Sequence, residues 1–212
     1  MMIEYRTEQE NFWAGVFGTE YIKRNDSQEL LASNLSFFSR TLSKAGALKS
    51  CVEFGANIGM NLRAIKLLYP SIELSAVEIN KDAAQELISF IGDHAVFNGS
   101  IFDYPIEKKS NLVLIKGVLI HINPDELKTA YGKIYDATNC NILICEYYNP
   151  SPVAIPYRGY SDRLFKRDFA GEMLDMYKDL ELIDYGFAYH RDLAFPQDDI
   201  NWFLMKKRDN NA

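Results

Sequence analysis

Short apolar runs alternate with amphipathic segments along most of the 212-residue chain, and this alternation restricts its possible folds more than any other feature. The apolar runs predict five strands, at residues 48–55, 72–79, 94–100, 111–117 and 139–148. Because the runs are almost continuously apolar, we expect strands that are buried on both faces, as in a parallel sheet covered by helices. The sequence therefore predicts a doubly wound α/β fold.

The amphipathic segments predict the covering helices. A first helix is expected from about Ser27 to Ala45, with Asp26 and Glu29 as a capping pair at its start. Its apolar face comprises Leu31, Leu35, Phe38, Leu42 and Ala45. Further helices are predicted at 58–68, 81–91 and 123–137, and another follows Asp168.

Two more strands are predicted near the C-terminus, at 180–190 and 200–207. The segment between them is too short to hold a crossover helix, so these strands should pair antiparallel. We therefore expect a Rossmann-like, seven-stranded, mostly parallel sheet with an antiparallel C-terminal hairpin. All of residues 1–212 are assigned to this single domain.

The turn after the first predicted strand indicates a ligand site. Gly55 and Gly59 lie four residues apart, where glycine allows a tight turn beneath a ligand. The following helix then directs free N–H groups toward the ligand. Glu78, at the end of the second predicted strand, is positioned to accept hydrogen bonds from both hydroxyls of a ribose.

Together with Glu53, this pattern resembles the first two motifs of the class I S-adenosylmethionine (SAM)-dependent methyltransferases. Asn57 replaces the middle glycine of the nicotinamide fingerprint and would crowd a pyrophosphate, which SAM lacks. Glu53 suits the cationic end of SAM. The cofactor-binding residues that the resemblance implies are Glu53, Gly55, Asn57, Gly59, Glu78, Ile79, Ser100, Ile101, Lys116 and Gly117.

A narrower resemblance covers almost the whole chain. Residues 12–25, 146–159, 162–172 and 202–204 are similar to segments of the pseudaminic acid biosynthesis-associated methylases. This resemblance implies an anionic acceptor, either a nonulosonic sugar acid or its nucleotide-activated precursor, in surface glycan biosynthesis. The alternatives are methylation of another small metabolite or of a protein or peptide, a non-catalytic SAM-binding module, and a nicotinamide-dependent reductase.

Two segments outside the predicted sheet are expected to complete the site. Residues 147–167 form a long predicted loop at the carboxyl end of the fifth strand, where such sheets bind ligands. Its expected acceptor-binding residues are Tyr147, Tyr157, Arg158, Arg163, Lys166 and Arg167. Residues 1–26 are expected to fold over the SAM pocket as a lid, with Tyr21 or Arg24 at the carboxylate of SAM.

Transfer of a methyl group to a hydroxyl benefits from a base that takes the proton. His121, just after the fourth predicted strand, is the first candidate, and Tyr148 and His190 are alternatives. No group of His, Asp and Glu has the spacing of metal ligands, so no metal is expected. Cys51, Cys140 and Cys145 match no zinc pattern and are expected to be reduced.

The charge and hydropathy of the chain argue against two classes of partner. The formal charge is −6 and the isoelectric point about 5.2, which disfavours nonspecific binding to nucleic acid. No stretch reaches the ~20 apolar residues of a membrane span, and no leader is evident. A cytoplasmic location is therefore expected, whereas the oligomeric state stays open.

Overall fold

The computed structural model describes residues 5–22 and 26–208, and at residues 160–162 it describes the backbone only. The helices in these ranges are α1 (Glu8–Ala14), α2 (Val16–Ile22), α3 (Gln28–Thr41), α4 (Met60–Leu68), α5 (Lys81–Ile91), α6 (Leu127–Ala137) and α7 (Phe169–Met176). The strands are β1 (Ser50–Phe54), β2 (Glu73–Glu78), β3 (Val96–Asn98), β4 (Ser110–Lys116), β5 (Thr138–Glu146), β6 (Val153–Tyr157), β7 (Tyr160–Lys166), β8 (Leu180–Ala188) and β9 (Ile200–Lys207). Short 3-10 turns cover Asp93–Ala95, Leu119–His121 and Pro124–Glu126.

Seven of the strands form one sheet in the order β3-β2-β1-β4-β5-β9-β8. Strands β1 to β5 pair parallel, whereas β9 pairs antiparallel with both β5 and β8. The predicted fold class is therefore confirmed, including the antiparallel C-terminal pair. The strand order reverses between β1 and β4, and sheets of this kind bind ligands beyond the carboxyl ends of the strands at such a point.

The sheet is covered on both faces, and the side chains of its central strands alternate between two cores. Leu112 and Leu114 face the core formed with α3, α4 and α5. Val113 and Ile115 face the core formed with α6 and α7. All four are fully buried, as expected for a parallel strand that is covered on both sides.

The starts of three helices differ from the sequence-based expectation. Ser27, not Asp26, caps α3, because its side chain accepts the Leu30 N–H at 3.0 Å. Helix α4 begins at Met60, because Gly59 has a left-handed φ of 81°. The helix expected at 123–137 is instead a 3-10 turn at 124–126 followed by α6.

The N-terminal segment folds into two short helices that the sequence analysis did not predict. Thr7 and Glu10 form a capping box at the start of α1. The Asn80 side chain donates toward the carbonyls of residues 13–15 and to the hydroxyl of Thr19, at 3.2–3.4 Å. Gly18 permits this close packing, because a Cβ there would lie 1.9 Å from the Trp13 carbonyl oxygen. The helix pair is thereby held against the start of α5.

The predicted loop at 147–167 contains a β-hairpin of β6 and β7. Arg158 and Gly159 connect the paired residues Tyr157 and Tyr160, with φ values of 50° and 90°. Positive φ at both central residues is typical of tight two-residue hairpin turns. Arginine is uncommon at such a position, which explains why this turn was not predicted from the sequence. In the described ranges, no helix is both long and apolar enough to cross a bilayer.

Candidate functional site

A cavity of about 720 Å³ lies at the carboxyl ends of β1 to β5. Its walls include the turn after β1, the end of β2, the loop after β3 and the loop after β4, while α1, α2 and the hairpin tip close it from the other side. The volume lies within the range of small-molecule sites, about 300–1,000 Å³. The sheet, the N-terminal helices and the hairpin therefore converge on one pocket.

The turn between β1 and α4 approaches the pocket through unusual backbone conformations. Gly55 has a φ of 74°, and a Cβ there would lie 2.4 Å from the Val118 Cγ2. Asn57 has a φ of 48°, a left-handed conformation that asparagine tolerates better than most residues. Both residues line the cavity. Gly59 does not, and a Cβ there would lie 2.8 Å from the Leu87 Cδ2, so its role in the structure is to start α4 against α5.

Glu78 presents a buried carboxylate to the cavity. Its two oxygens accept the backbone N–H groups of Asn57 and Asn80, each at 2.7 Å. Burial raises the pKa of Glu78, and these N–H donors oppose the shift. An ionised carboxylate has about four acceptor positions, so both oxygens retain capacity for a ligand hydroxyl.

Glu53 lies beneath the cavity and does not line it. Its Oε1 accepts the Asn61 side-chain N–H at 2.6 Å, and Asn61 itself lines the cavity. Burial raises the pKa of Glu53 to about 8, with the Asn61 hydrogen bond and the charge of Lys116 opposing the shift. Glu53 therefore reaches the pocket through Asn61.

The loop after β4 forms the wall opposite Glu78. Lys116 and Gly117 line the cavity, and Gly117 has a φ of 68°. Glu146 shapes this loop from below, because its Oε1 accepts the N–H groups of Val118 and Leu119 at 2.9 and 2.8 Å. Burial raises the pKa of Glu146 to about 7.

His121 lines the cavity and lies between two aromatic rings. Its ring centroid lies 4.7 Å from that of Trp13 and 5.2 Å from that of Tyr157. Nδ1 contacts the Arg163 carbonyl oxygen, which can only accept, so Nδ1 carries the proton and Nε2 the lone pair. Burial lowers the pKa of His121 to about 4, with the Arg163 contact opposing the shift.

The expected acceptor-binding residues divide into two groups. Tyr147, Tyr157 and Arg158 line the cavity. The other three lie outside its lining: Arg163 pairs with Glu8 at 3.1 Å, Arg167 with Glu172 at 2.8 Å, and the Lys166 ammonium lies 5.0 Å from the centre of the Tyr147 ring. These three cations therefore hold the hairpin against its surroundings.

The remaining candidates are also divided. Ile79, Ser100, Ile101, Tyr21 and His190 line the cavity, whereas Tyr148 is 39% exposed and its ring lies near Phe203. Arg24 falls outside the described residues. Residues 5–22 and 26–208 contain no cluster of His, Cys, Asp and Glu that could hold a metal ion.

Several cavity residues were not named individually as site residues from the sequence: Glu10 and Trp13, which lie in the segment expected to form a lid, and Asn61, Asn80 and Asp198. Asn80 had a recognisable signal, because it follows the second strand directly and caps α5. Burial and the nearby Asp198 carboxylate raise the pKa of the Tyr147 hydroxyl, and the proximity of these two residues depends on tertiary structure alone.

Neither a protein-family model nor a curated protein matches the sequence. Among solved structures, the chain is similar to Burkholderia thailandensis 1,6-didemethyltoxoflavin-N1-methyltransferase bound to S-adenosylhomocysteine, with 16% identity and a TM-score of 0.71 over 99% of this chain and 93% of that chain. It is also similar to the Synechocystis magnesium protoporphyrin IX methyltransferase with bound SAM, with 11% identity and a TM-score of 0.63 over 97% of this chain and 100% of that chain. A third match is the mitomycin 7-O-methyltransferase MmcR, with 13% identity and a TM-score of 0.66 over 95% of this chain, which spans 61% of that enzyme. The chain therefore has the Rossmann-like fold of the class I SAM-dependent methyltransferases.

Proposed function

We propose that this protein is a SAM-dependent methyltransferase that acts on a small molecule. The observation that carries the proposal is the buried Glu78 carboxylate, which lines the cavity at the carboxyl end of β2. A carboxylate at this place suits a ribose whose two hydroxyls donate to it. The solved structures with bound SAM and S-adenosylhomocysteine share the fold and support the same ligand.

The other groups around the cavity fit SAM better than a dinucleotide. Asn57 places a side chain where a pyrophosphate would need close backbone approach, and its buried Oδ1 has no hydrogen-bond partner among the described residues. A ligand ammonium or hydroxyl can supply that partner. The carboxylate of Glu78 at the same wall opposes a phosphate on the ribose 2′ position, so it disfavours NADP, whereas Asn57 is the group that disfavours NAD.

The reaction requires few groups from the protein. Bound SAM would supply a methyl carbon attached to a sulfonium, and its C–S bond would break, releasing S-adenosylhomocysteine, as an aligned nucleophile bonds to that carbon. We propose that the His121 Nε2 accepts the proton of an acceptor hydroxyl as the new bond to carbon forms. Burial lowers its pKa to about 4, so this imidazole is neutral at pH 7 and Nε2 carries a lone pair. The rings of Trp13 and Tyr157 pack against His121 and restrict water at this point.

For the acceptor we propose an anionic sugar, of the nonulosonic acid type or its nucleotide-activated precursor. Among the residues that the structure describes, Arg158 is the arginine that lines the cavity. Guanidinium groups bind carboxylates through paired hydrogen bonds. Tyr147 and Tyr157 offer apolar ring faces beside it. The resemblance of the chain to pseudaminic acid biosynthesis-associated methylases supports the same class of acceptor.

Thermal denaturation with SAM, S-adenosylhomocysteine and NAD tests the cofactor assignment. We expect the first two to raise the melting temperature and NAD to leave it unchanged, because only a ligand of the native state stabilises it. A shift with NAD alone would contradict the proposal.

Transfer of labelled methyl from SAM to candidate sugar acids tests the activity. His121→Ala should lower turnover at least tenfold without weakening SAM binding, whereas Tyr148→Phe, outside the cavity lining, should not. Arg158→Gln should raise the KM for an acidic acceptor, with Arg191→Gln as the matched exposed control. SAM binding without transfer to any acceptor would instead favour a non-catalytic module.

A further inference from the structure

We infer that Glu10, on the N-terminal helix α1, binds the amino group of the adenine ring and makes the site select adenosine over its deaminated form. This inference rests on the proposed function, because it concerns the nucleoside of SAM. Glu10 lies outside the sheet, in the N-terminal segment that folds over the cavity.

The position of the base follows from the geometry of a nucleoside. The base and the amino-acid chain leave the ribose on opposite sides, and Glu78 marks the ribose. The sulfur must lie near His121 and Gly117, on the β4 side, if a methyl group is to reach an acceptor there. The base must therefore lie on the other side of Glu78, toward β3, which is the neighbour of β2 at the edge of the sheet.

On this side, the cavity has apolar walls and a polar edge. Ile79, Ile101 and Phe102 line it and can pack against a flat ring. The polar edge is formed by Ser100 and Glu10, which also line the cavity and contact each other through the serine hydroxyl and the Glu10 Oε1. The loop after β3 and helix α1 thus meet where the edge of the base should lie.

The hydrogen bonds at this edge leave acceptors rather than donors. Ser100 gives its only proton to Glu10, and its oxygen accepts the Phe102 N–H at 3.2 Å. The Glu10 Oε2 accepts the Thr7 N–H at 3.1 Å within the capping box. A carboxylate has about four acceptor positions, so Glu10 retains capacity toward the cavity.

The Glu10 carboxylate offers only acceptor oxygens, so it favours a ligand group that donates. The exocyclic amine of adenine supplies a donor, whereas the deaminated base, hypoxanthine, places a carbonyl oxygen at the same position. That oxygen would face the Glu10 carboxylate with no proton between them, which is an unfavourable contact.

Calorimetric titration with S-adenosylhomocysteine and S-inosylhomocysteine tests the inference, because the two ligands differ only at C6, where a carbonyl replaces the amine, and at N1, which gains a proton. We expect the protein to prefer the adenosyl ligand at least tenfold. In Glu10→Gln the preference should fall to about twofold or less, because an amide can turn either its oxygen or its nitrogen toward the base. Glutamine also fits the capping box, so α1 should remain folded.

Two control variants separate recognition from support of the helix. Glu8→Gln changes a neighbouring carboxylate that pairs with Arg163 and should leave the preference unchanged. Thr7→Ala weakens the capping box and should therefore weaken the binding of both ligands by the same factor. An unchanged preference in Glu10→Gln, or no preference in the unmodified protein, would overturn the inference. Failure of the unmodified protein to bind either ligand would contradict the proposed function itself.

Discussion

Gly55→Ala should destabilise the protein through two separable effects. Gly55 has a φ of 74°, which costs an L-residue about 1 kcal/mol. The new Cβ would also lie 2.4 Å from the Val118 Cγ2. Valine has a stiff χ1 and cannot easily turn away, so overpacking adds about 2 kcal/mol. We therefore expect the free energy of unfolding to fall by about 3 kcal/mol.

Urea denaturation of a double-mutant cycle separates the two effects. Val118→Ala removes the methyl group in conflict, so Gly55→Ala should cost only about 1 kcal/mol in that background. Gly46→Ala is the matched control, because Gly46 also has a φ of 74° but a Cβ there would meet no atom within 4 Å. It should likewise cost about 1 kcal/mol. Strict additivity of Gly55→Ala and Val118→Ala would refute the steric argument.

Three other substitutions test the electrostatics and packing of the site. Between pH 4.5 and 8, folded Glu53 keeps a proton that the unfolded state has lost, so the unmodified protein should lose up to about 5 kcal/mol of stability as the pH rises. Glu53→Gln should flatten this pH dependence. Between pH 6.5 and 4, the unfolded His121 imidazole is protonated while the folded one is neutral, so the unmodified protein should lose about 3 kcal/mol of stability as the pH falls. His121→Gln should flatten the pH dependence of stability in this range. Urea denaturation across pH measures both, and an unchanged pH profile would contradict the assigned burial. Asn80→Ala should cost about 1 kcal/mol as a lost cap and speed proteolysis within α1 and α2, because its side chain donates to residues of both segments. Ser27→Ala removes the cap of α3, where the Ser27 side chain accepts the Leu30 N–H, and should cost a similar amount without the added cleavage.

The sheet could be predicted from the sequence because its signals are local. The apolar runs predicted β1 to β5, and the shortness of segment 191–199 predicted the antiparallel pairing of β8 and β9. The order of the strands agrees with the predicted fold class, and Gly55 and Glu78 both line the cavity.

The rest of the site depends on contacts between distant parts of the chain. Arg158, Arg163 and Arg167 look alike in sequence, but Arg158 lines the cavity and the other two form ion pairs with glutamates. Glu8, one of these glutamates, lies 155 positions from its partner. No spacing rule can find a pair this far apart, and the same holds for the contact between Glu10 and Ser100.

A crystal structure with S-adenosylhomocysteine bound tests the central claim most directly. We expect the ribose hydroxyls to lie within hydrogen-bonding distance of the Glu78 carboxylate and the sulfur to lie on the β4 side, facing His121. A nucleoside bound elsewhere, or a ribose that makes no contact with Glu78, would contradict it.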